Sequence, residues 1–335
     1  MKKTILALTI PALFATSASA VTVYSDEGAQ VDIYGRIQYD AGSFDHDGAD
    51  REKFGGDGSA RLGTNVKYDL NNDVALIGKL EWQVAAESSD GSKFDSRYAW
   101  AGFRFQDTTD LTFGKSENPF VQLSDITDIF ELFGAAAYSH SWRIDDQVRV
   151  SYADQGIDLR AAYAFNDQNR TREDLDAAEE RAQNQYSLSA GYATPFGLGL
   201  VAAYEKQNVK TGPLAAEGDF DMWGVGANYS IDGFYFGTVY GHTSQDVVGG
   251  SDADTRYWEI VGAYNVDAWT LRAGYNYEKD RKGDNKKTHV NEYVLGAAYA
   301  LNPKTKLYAE YNLQRAKTGG ERKDDLYGVG IQYNF

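Results

Sequence analysis

Three carboxylates lie at regular intervals in the segment 116–141, which reads "SENPFVQLSDITDIFELFGAAAYSHS". Asp125, Asp128 and Glu131 are each three residues apart, so in a short helical turn they would share one face. Ser124 could cap such a turn and Gly134 could end it. A second face would carry the apolar side chains Leu123, Ile126, Ile129, Phe130 and Phe133. The segment therefore predicts an acidic side and an apolar side.

Catalysis requires a nucleophile or a water molecule activated by an oriented base. The chain has four histidines, His46, His140, His242 and His289. None of them lies in a recognisable Ser/His/Asp or Asp/His arrangement, and the chain has no cysteine. We expect no enzyme activity, no metal site and no cofactor.

The first 20 residues have the pattern of a secretory signal peptide. Lys2 and Lys3 precede an apolar run over 5–14, and Ala18-Ser19-Ala20 forms an A-x-A cleavage site. Cleavage after Ala20 would leave a mature chain of residues 21–335, a single domain outside the cytoplasm. The formal net charge of the full chain is −16. Such an acidic balance argues against nucleic acid as a partner, because phosphates need a basic surface.

Aromatic residues and glycine are abundant, with 24 Tyr, 16 Phe, 6 Trp and 34 Gly, which favours an all-β chain. Alternation of apolar and polar residues predicts sixteen strands. Short turns such as 71–73, 232–233 and 302–304 alternate with long polar loops such as 167–183. The predicted strands span 29–41, 60–70, 74–87, 94–106, 110–115, 142–153, 157–166, 184–193, 198–207, 220–231, 234–243, 256–265, 269–278, 289–300, 305–314 and 325–335.

Nearly every predicted strand has one apolar face and one face crowded with charged or amide side chains. A sheet in water would bury its apolar face against a second layer. A closed barrel satisfies the observed pattern instead, with apolar residues toward lipid and a polar lumen. The sequence thus predicts a 16-stranded antiparallel transmembrane β-barrel; a large soluble β-sandwich is the alternative.

Several stretches, taken in order along the chain, resemble the Gram-negative general porin family. They are "VDIYGRIQYD", "ARLGTNVKYDLNND", "SRYAWAGFRF", "LTFGKSENPF" and the terminal "GVGIQYNF". The resemblance implies a homotrimer in the outer membrane, with a third loop, about 116–141, folded into the lumen. It also implies that the C-terminal aromatic residues, Phe335 with Tyr333, are read by the barrel-assembly machinery.

Alternation also predicts which arginines face the lumen. Arg36 and the next residue, Ile37, point to opposite faces of their strand, and so do Arg61 and Leu62. Arg97 precedes Tyr98 and Trp100, which alternation places toward lipid. Arg143, Arg149 and Arg272 are lumen-facing by the same rule. The porin resemblance implies a basic ladder at a pore constriction, matched by Arg36, Arg61 and Arg97 and more loosely by Arg143, whereas Arg149 and Arg272 rest on alternation alone.

The resemblance further implies that the acidic side of the third loop faces this ladder. Family members have a Pro-Glu-Phe-Gly-Gly pattern there, and "ELFGAA" (131–136) replaces it in this chain. The family's glutamate falls on either Glu131 or Leu132. The predicted acidic side is therefore Asp125, Asp128 and Glu131, pinned to the wall by the apolar side.

We expect a passive diffusion channel for ions and small hydrophilic solutes, with a weak preference for cations because the chain is acidic. The alternative is a channel specific for oligosaccharides, which would need an aromatic track. Alternation gives few lumen aromatics, Tyr34, Tyr235 and Tyr308, and places Trp82, Trp100, Trp258 and Trp269 toward lipid. We expect the carboxylates of the acidic stretches 45–50 and 251–255 to be solvated. The alternative is that divalent cations bridge them to lipopolysaccharide.

Overall fold

The computed structural model describes residues 20–43, 54–85, 94–134, 140–165, 180–211, 216–247, 252–283, 285–318 and 320–335. The signal-peptide prediction for 1–20 lies outside these ranges, apart from Ala20. Within them there is no helix of the length and apolarity needed to cross a membrane.

The described chain is almost entirely β-strand. The strands are β1 Val21–Asp26, β2 Ala29–Ser43, β3 Gly55–Asp69, β4 Val74–Ala85, β5 Phe94–Phe105, β6 Thr109–Glu117, β7 Arg143–Asp154, β8 Ile157–Ala164, β9 Glu180–Ala193, β10 Leu198–Thr211, β11 Ala216–Ile231, β12 Phe234–Val247, β13 Ala253–Val266, β14 Trp269–Lys282, β15 Asn285–Asn302, β16 Thr305–Gln314, β17 Lys317–Thr318, β18 Glu321–Arg322 and β19 Leu326–Asn334. A single short helix, α1 Val121–Ser124, interrupts this series within the described residues.

Sixteen of the strands form a closed antiparallel ring, as the sequence predicts. Each strand from β2 to β16 pairs with the next, β16 pairs with β19, and β19 pairs with β2 from Tyr327–Ser43 to Asn334–Arg36. Closure leaves the ring without open edges. The remaining strand of the main sheet, β1, was not predicted, and it pairs with β2 beside the C-terminal residue.

The two rims of the barrel differ as the spacing of turn residues predicts. Tight turns join the strands at one rim, where Asp232 and Gly233 both have positive φ, at 46° and 83°. Two-residue hairpins with positive φ at both positions match the twist of the flanking strands. Long connections join the strands at the other rim, and most of their residues lie outside the described ranges.

The face of the barrel away from the lumen is apolar. Leu295 and Trp258, for example, are 59% and 45% exposed, although alternate positions on the same strands, such as Val294 and Glu259, are completely buried. An apolar outer surface of this extent fits a lipid environment. The buried positions lie on the inner wall, where the third loop covers them.

Candidate functional site

The third loop connects β6 to β7 and starts at Asn118. The Asn118 side chain donates to Glu205 Oε2 on β10 (2.5 Å) and to the carbonyl of Ser141 (2.8 Å). Its backbone N–H donates to the carbonyl of Trp142, at 3.1 Å. Asn118 thereby joins the two ends of the loop and fixes its start against β10.

The helical turn begins earlier than the sequence predicts. The helix α1 runs from Val121 to Ser124, so Ser124 ends it and does not cap its start. Instead, the Ser124 hydroxyl contacts Nε2 of the buried His140 at 2.9 Å. The imidazole of His140 packs between the rings of Phe120 and Trp142, with centroids 5.1 and 5.0 Å away. These contacts tie the outgoing and returning parts of the loop to each other.

The apolar side of the loop packs on the inner wall in two clusters. The first contains Phe120, Leu123 and Ile126 of the loop, and the second contains Ile129, Phe130 and Phe133. Burial of a large apolar side chain contributes about 1.5–3 kcal/mol, so six of them contribute roughly 10 kcal/mol before entropy costs. The wall residues in contact are Val201, Ala203, Met222, Tyr235, Val239, Tyr257, Val261, Ala263, Val294 and Leu326.

Glycines on the inner wall allow the loop to approach this closely. A Cβ built on Gly224 would lie 2.4 Å from Leu123 Cδ2, and one on Gly274 would lie 2.8 Å from Phe130 Cε2. At Gly237 the nearest atom is the backbone oxygen of Ile126, at 2.5 Å. Sequence reasoning missed these positions, although glycines at lumen-facing strand positions are a signal of close backbone approach.

Gly237→Ala is expected to destabilise the folded barrel by about 1–3 kcal/mol. The Ile126 carbonyl belongs to the backbone and cannot rotate away, so the loop must shift. Thermal unfolding in detergent measures the effect. Gly262→Ala is the matched control on the neighbouring strand, because its Cβ would meet Phe236 at an ordinary 3.7 Å. Equal stability of the two variants would contradict the expectation.

Three buried glutamates of the inner wall hold the polar groups of the loop. Glu205 accepts from Asn118, as described above, and Glu259 Oε2 on β13 accepts from the Thr127 hydroxyl at 2.6 Å. Glu310 on β16 accepts from the backbone N–H groups of Glu131, Leu132 and Phe133 at 2.7, 2.9 and 3.3 Å. No local pattern marks these three glutamates as anchors, although alternation places all three on the lumen side.

Glu131 lies in an ion-pair network with the wall. Its Oε1 is 2.5 Å from Lys306 Nζ and 3.1 Å from Arg272 Nη1, and Arg272 is also 3.7 Å from Glu310. Burial alone would raise the pKa of the Glu131 carboxyl, but the charges of Lys306 and Arg272 lower it below its usual value. Two cations therefore offset the charge of Glu131 on the wall, and its place on the acidic side of the constriction stays a prediction.

Asp128 is the most exposed of the three predicted loop carboxylates. The protein packed around it raises the pKa of Asp128 to about 6, and the charges of Glu131 and Glu310 act in the same direction. Gly134 allows the carboxylate to lie close to the returning chain, since a Cβ there would be 2.6 Å from Asp128 Oδ1. Asp128 thus presents a titratable carboxyl group to the lumen.

Asp125 is half-buried in the same loop. Burial raises its pKa well above the usual value, and the nearby charge of Glu117 adds to the shift, whereas Arg160 opposes it. Arg149, a predicted member of the basic side, is 3.9 Å from Glu117, and Arg160 is 3.2 Å from the same carboxylate. Arg149 is therefore placed by the entrance to the third loop.

Arg36, Arg61 and Arg97 lie on strands β2, β3 and β5. Arg36 and Arg61 are directly opposite each other in the sheet, an arrangement of like charges that costs stability. Arg61 Nε donates to Gln83 Oε1 at 2.9 Å, and Arg97 Nε donates to Glu81 Oε1 at 2.6 Å. We call this surface, with Lys79 and Arg143, the basic wall.

Lys79 was not among the predicted site residues. Its ammonium lies over the ring of Tyr98, 4.1 Å from the centroid, and 3.8 Å from Glu81 Oε2. The Arg143 guanidinium lies over the same ring at 5.3 Å. Since Tyr34 also donates to Glu81 Oε2, at 2.8 Å, a single carboxylate lies among the cations of the basic wall.

The lipid-facing assignment of Tyr98 and Trp100 is wrong. Trp100 pairs with Lys79 and Tyr98 pairs with Glu81, and the register then shifts so that Trp82 pairs with Ser96. The shift leaves Arg97 as the extra residue of a β-bulge, which breaks strict alternation. Arg97 still reaches Glu81, although the alternation argument for it does not hold at this position.

The C-terminal residue completes the seam between β19 and β2. Phe335 N–H donates to the Gly35 carbonyl at 3.0 Å, and Gly35 N–H donates to the Phe335 carbonyl at 2.9 Å. Tyr333 is exposed on the outer face and stacks with Phe335, with ring centroids 6.1 Å apart. Recognition of these residues by the assembly machinery stays a prediction.

A closed barrel of sixteen strands with an inward-folded loop defines a membrane channel of the porin class. A profile of the Gram-negative porin family matches residues 7–319, and the chain belongs to this family. Its members are passive outer-membrane channels and not enzymes.

Known proteins resemble this chain over all or nearly all of its length. The chain is 25% identical to outer membrane porin N of Escherichia coli over 383 residues, with 100% of both chains covered. The structure of Salmonella typhi OmpF in complex with daunomycin superposes with a TM-score of 0.78 at 18% identity, covering 94% of this chain and 100% of that one. The trimer form of Vibrio cholerae OmpT gives a TM-score of 0.72 at 20% identity, covering 92% and 100%.

Proposed function

We propose that this porin is a general diffusion channel with a weak preference for cations. The observation that carries the proposal is the seating of the third loop against β9–β16, with Asp128 exposed, while the basic wall lies on β2–β5 and β7. Charges of opposite sign on a narrow lumen select among ions and orient polar solutes. The acidic balance of the chain favours cations, and the basic wall keeps the preference weak.

Asp125, Asp128 and Glu131 are proposed as the acidic side of the constriction, and Arg36, Arg61, Arg97, Arg143 and Arg149 as the basic side. The ion pairs of Glu131 and the partly buried position of Asp125 support Asp128 as the strongest contributor. Reversal potentials of purified protein in planar bilayers under a KCl gradient test the proposal. A clear anion preference would overturn the cation preference.

Asp128→Asn is expected to shift the permeability ratio toward anions roughly two- to fivefold at pH 7, since one charge at short range in water is worth up to about 1 kcal/mol. Because the pKa of Asp128 is raised to about 6, the cation preference of the unaltered protein should fall as the pH decreases from 7 to 5. The variant should lack this part of the pH dependence. An unchanged reversal potential would mean that Asp128 lies away from the ion path.

An oligosaccharide-specific channel is the second candidate, and the inward position of Tyr98 and Trp100 favours it. However, the side chains of Lys79 and Arg143 already lie over the ring of Tyr98. The hydroxyl of Tyr235 donates to the Ile126 carbonyl at 2.7 Å, and that of Tyr308 donates to Asp40. These engaged rings support the general channel. Block of conductance by a low concentration of a sugar would favour the specific one.

We also propose a homotrimer in the outer membrane, exported with a signal peptide that is cleaved after Ala20. Barrel assembly would use Phe335 and Tyr333, and lipopolysaccharide would surround the long-loop rim. The trimer form of OmpT supports the oligomer by similarity of fold. Conductance steps in groups of three would support the trimer. N-terminal sequencing of the protein isolated from the membrane would identify the cleavage site.

A further inference from the structure

Two carboxylates on β14 face the lumen beyond the third loop. Glu278 and Asp280 alternate on the same face, opposite Tyr257 and Thr255 of β13. Tyr257 is buried in the first loop cluster, so this face is the inner wall. Since β14 runs from the short-turn rim at Trp269 to the long-loop rim at Lys282, both carboxylates lie toward the wide outer mouth.

A β-bulge brings a histidine to these carboxylates. Glu278 pairs with Val290 and Lys279 pairs with Thr288, which leaves His289 as the extra residue on β15. Bulges of this kind re-aim a side chain, and here His289 Nε2 lies 2.7 Å from Asp280 Oδ2. One potential ligand atom from each of Glu278, Asp280 and His289 lies within 4.8 Å of the other two.

The donor set of one imidazole and two carboxylates suits a borderline transition-metal dication. Zinc takes nitrogen and oxygen donors in sites with three protein ligands and an open fourth position, whereas calcium and magnesium prefer oxygen donors throughout. The two carboxylate charges match a dication.

Two neighbouring residues make hydrogen bonds beside the three donors. The Thr255 hydroxyl donates to Asp280 Oδ1 at 2.8 Å, which orients the carboxylate as outer partners of metal ligands do. Lys323, the nearby cation, donates to the His289 carbonyl at 3.0 Å. Its ammonium is therefore held by the backbone of β15.

We propose that Glu278, Asp280 and His289 bind a divalent transition metal of the zinc type in the outer vestibule. The proposal differs from the sequence-based expectation that the chain has no metal site, and zinc binding decides between the two. Bound metal offsets two carboxylate charges at the mouth, and it thereby lowers the attraction of the vestibule for permeating cations. The binding step does not depend on the proposed selectivity.

The test uses zinc chloride as the probe and purified full-length protein in detergent. Isothermal titration is expected to give one ion per chain, and His289→Gln and Asp280→Asn should each weaken binding about tenfold or more. His242→Gln is the matched control, because His242 pairs with Asp254 at 3.2 Å on neighbouring strands. It should bind zinc as the unaltered protein does.

Two outcomes would overturn the proposal: zinc affinity that is unchanged in both His289→Gln and Asp280→Asn, or magnesium chloride binding at the same sites as tightly as zinc. Metal-free conductance verifies that each variant forms a channel, and the two ligand variants on different strands guard against misfolding of either one. Zinc added on the long-loop side should then shift the reversal potential of the unaltered channel toward anions. Normal zinc binding without that shift would mean that the metal site exists but that bound zinc does not change the ion selectivity of the channel.

Discussion

Removal of the Glu310 carboxylate is expected to raise the single-channel conductance. Glu310→Ala takes away the acceptor for three consecutive backbone N–H groups of the third loop and a partner of Arg272. Hydrogen bonds to charged groups are worth about 1.5–3 kcal/mol each. Lumen water can replace part of this, so the attachment of the loop should weaken by about 3 kcal/mol. The turn at 131–133 then moves away from the wall or fluctuates, and the current becomes larger or noisier.

Planar-bilayer recording measures the conductance, and the uptake of graded neutral sugars into liposomes measures the exclusion size. Glu292→Ala is the matched control. Glu292 is a buried glutamate of the same wall, but it accepts from Asn276 at 3.0 Å and Gln314 at 2.7 Å, both of which are wall residues. If both variants conduct like the unaltered protein, Glu310 does not hold the loop in the pore.

Replacement of Arg36 and Arg61 together by glutamine is expected to give the largest change in ion selectivity. Arg36 and Arg61 are directly opposite each other in the sheet, and they donate to the neutral amides of Asn334 and Gln83, so we expect both charges to act on passing ions. Loss of two charges should raise the cation-to-anion permeability ratio roughly tenfold at low salt. High salt should reduce the difference, because ions screen charges beyond about 10 Å at 0.1 M.

The same double variant should not lose stability, since it removes a like-charge pair worth about 0.2–1 kcal/mol of repulsion. Reversal potentials and thermal unfolding measure the two effects. Arg104→Gln is the control for selectivity, because Arg104 already pairs with Asp110 at 2.7 Å near the short-turn rim. Unchanged selectivity of the double variant would show that the basic wall lies away from the ion path.

Alternation of residue types predicted the strands and the closed ring because period two is a local property of the chain. Strand ends were less accurate: β15 extends over 18 residues, and the sequence predicted only 289–300. The bulge at Arg97 was not predicted because one extra residue exchanges the inner and outer faces of the strand without changing its composition. The separate strand β1 was also missed, although it forms a local hairpin with β2 through a turn in which Glu27 and Gly28 have positive φ.

The third loop was predicted to have an apolar and an acidic side, but its anchors were not predicted. Glu205, Glu259 and Glu310 are far from the loop in sequence, and only the closed ring brings them to it. Gly237 and Gly274 look like ordinary strand glycines in the sequence, and only the folded structure shows that the third loop packs on them. The ion pairs of Glu131 depend on Arg272 and Lys306 in the same way. Local patterns carry no information on such distant pairs.

The three glutamate anchors also imply an order of folding. Asn118 and Glu205 are 87 residues apart, Thr127 and Glu259 are 132 apart, and Glu131 and Glu310 are 179 apart. Contacts between distant residues form late because the entropy of loop closure increases with separation. The third loop should therefore dock from its first residues to its last as successive strands join the sheet. We expect the third loop to be fully docked only when β16 is in place, shortly before the last strand closes the ring.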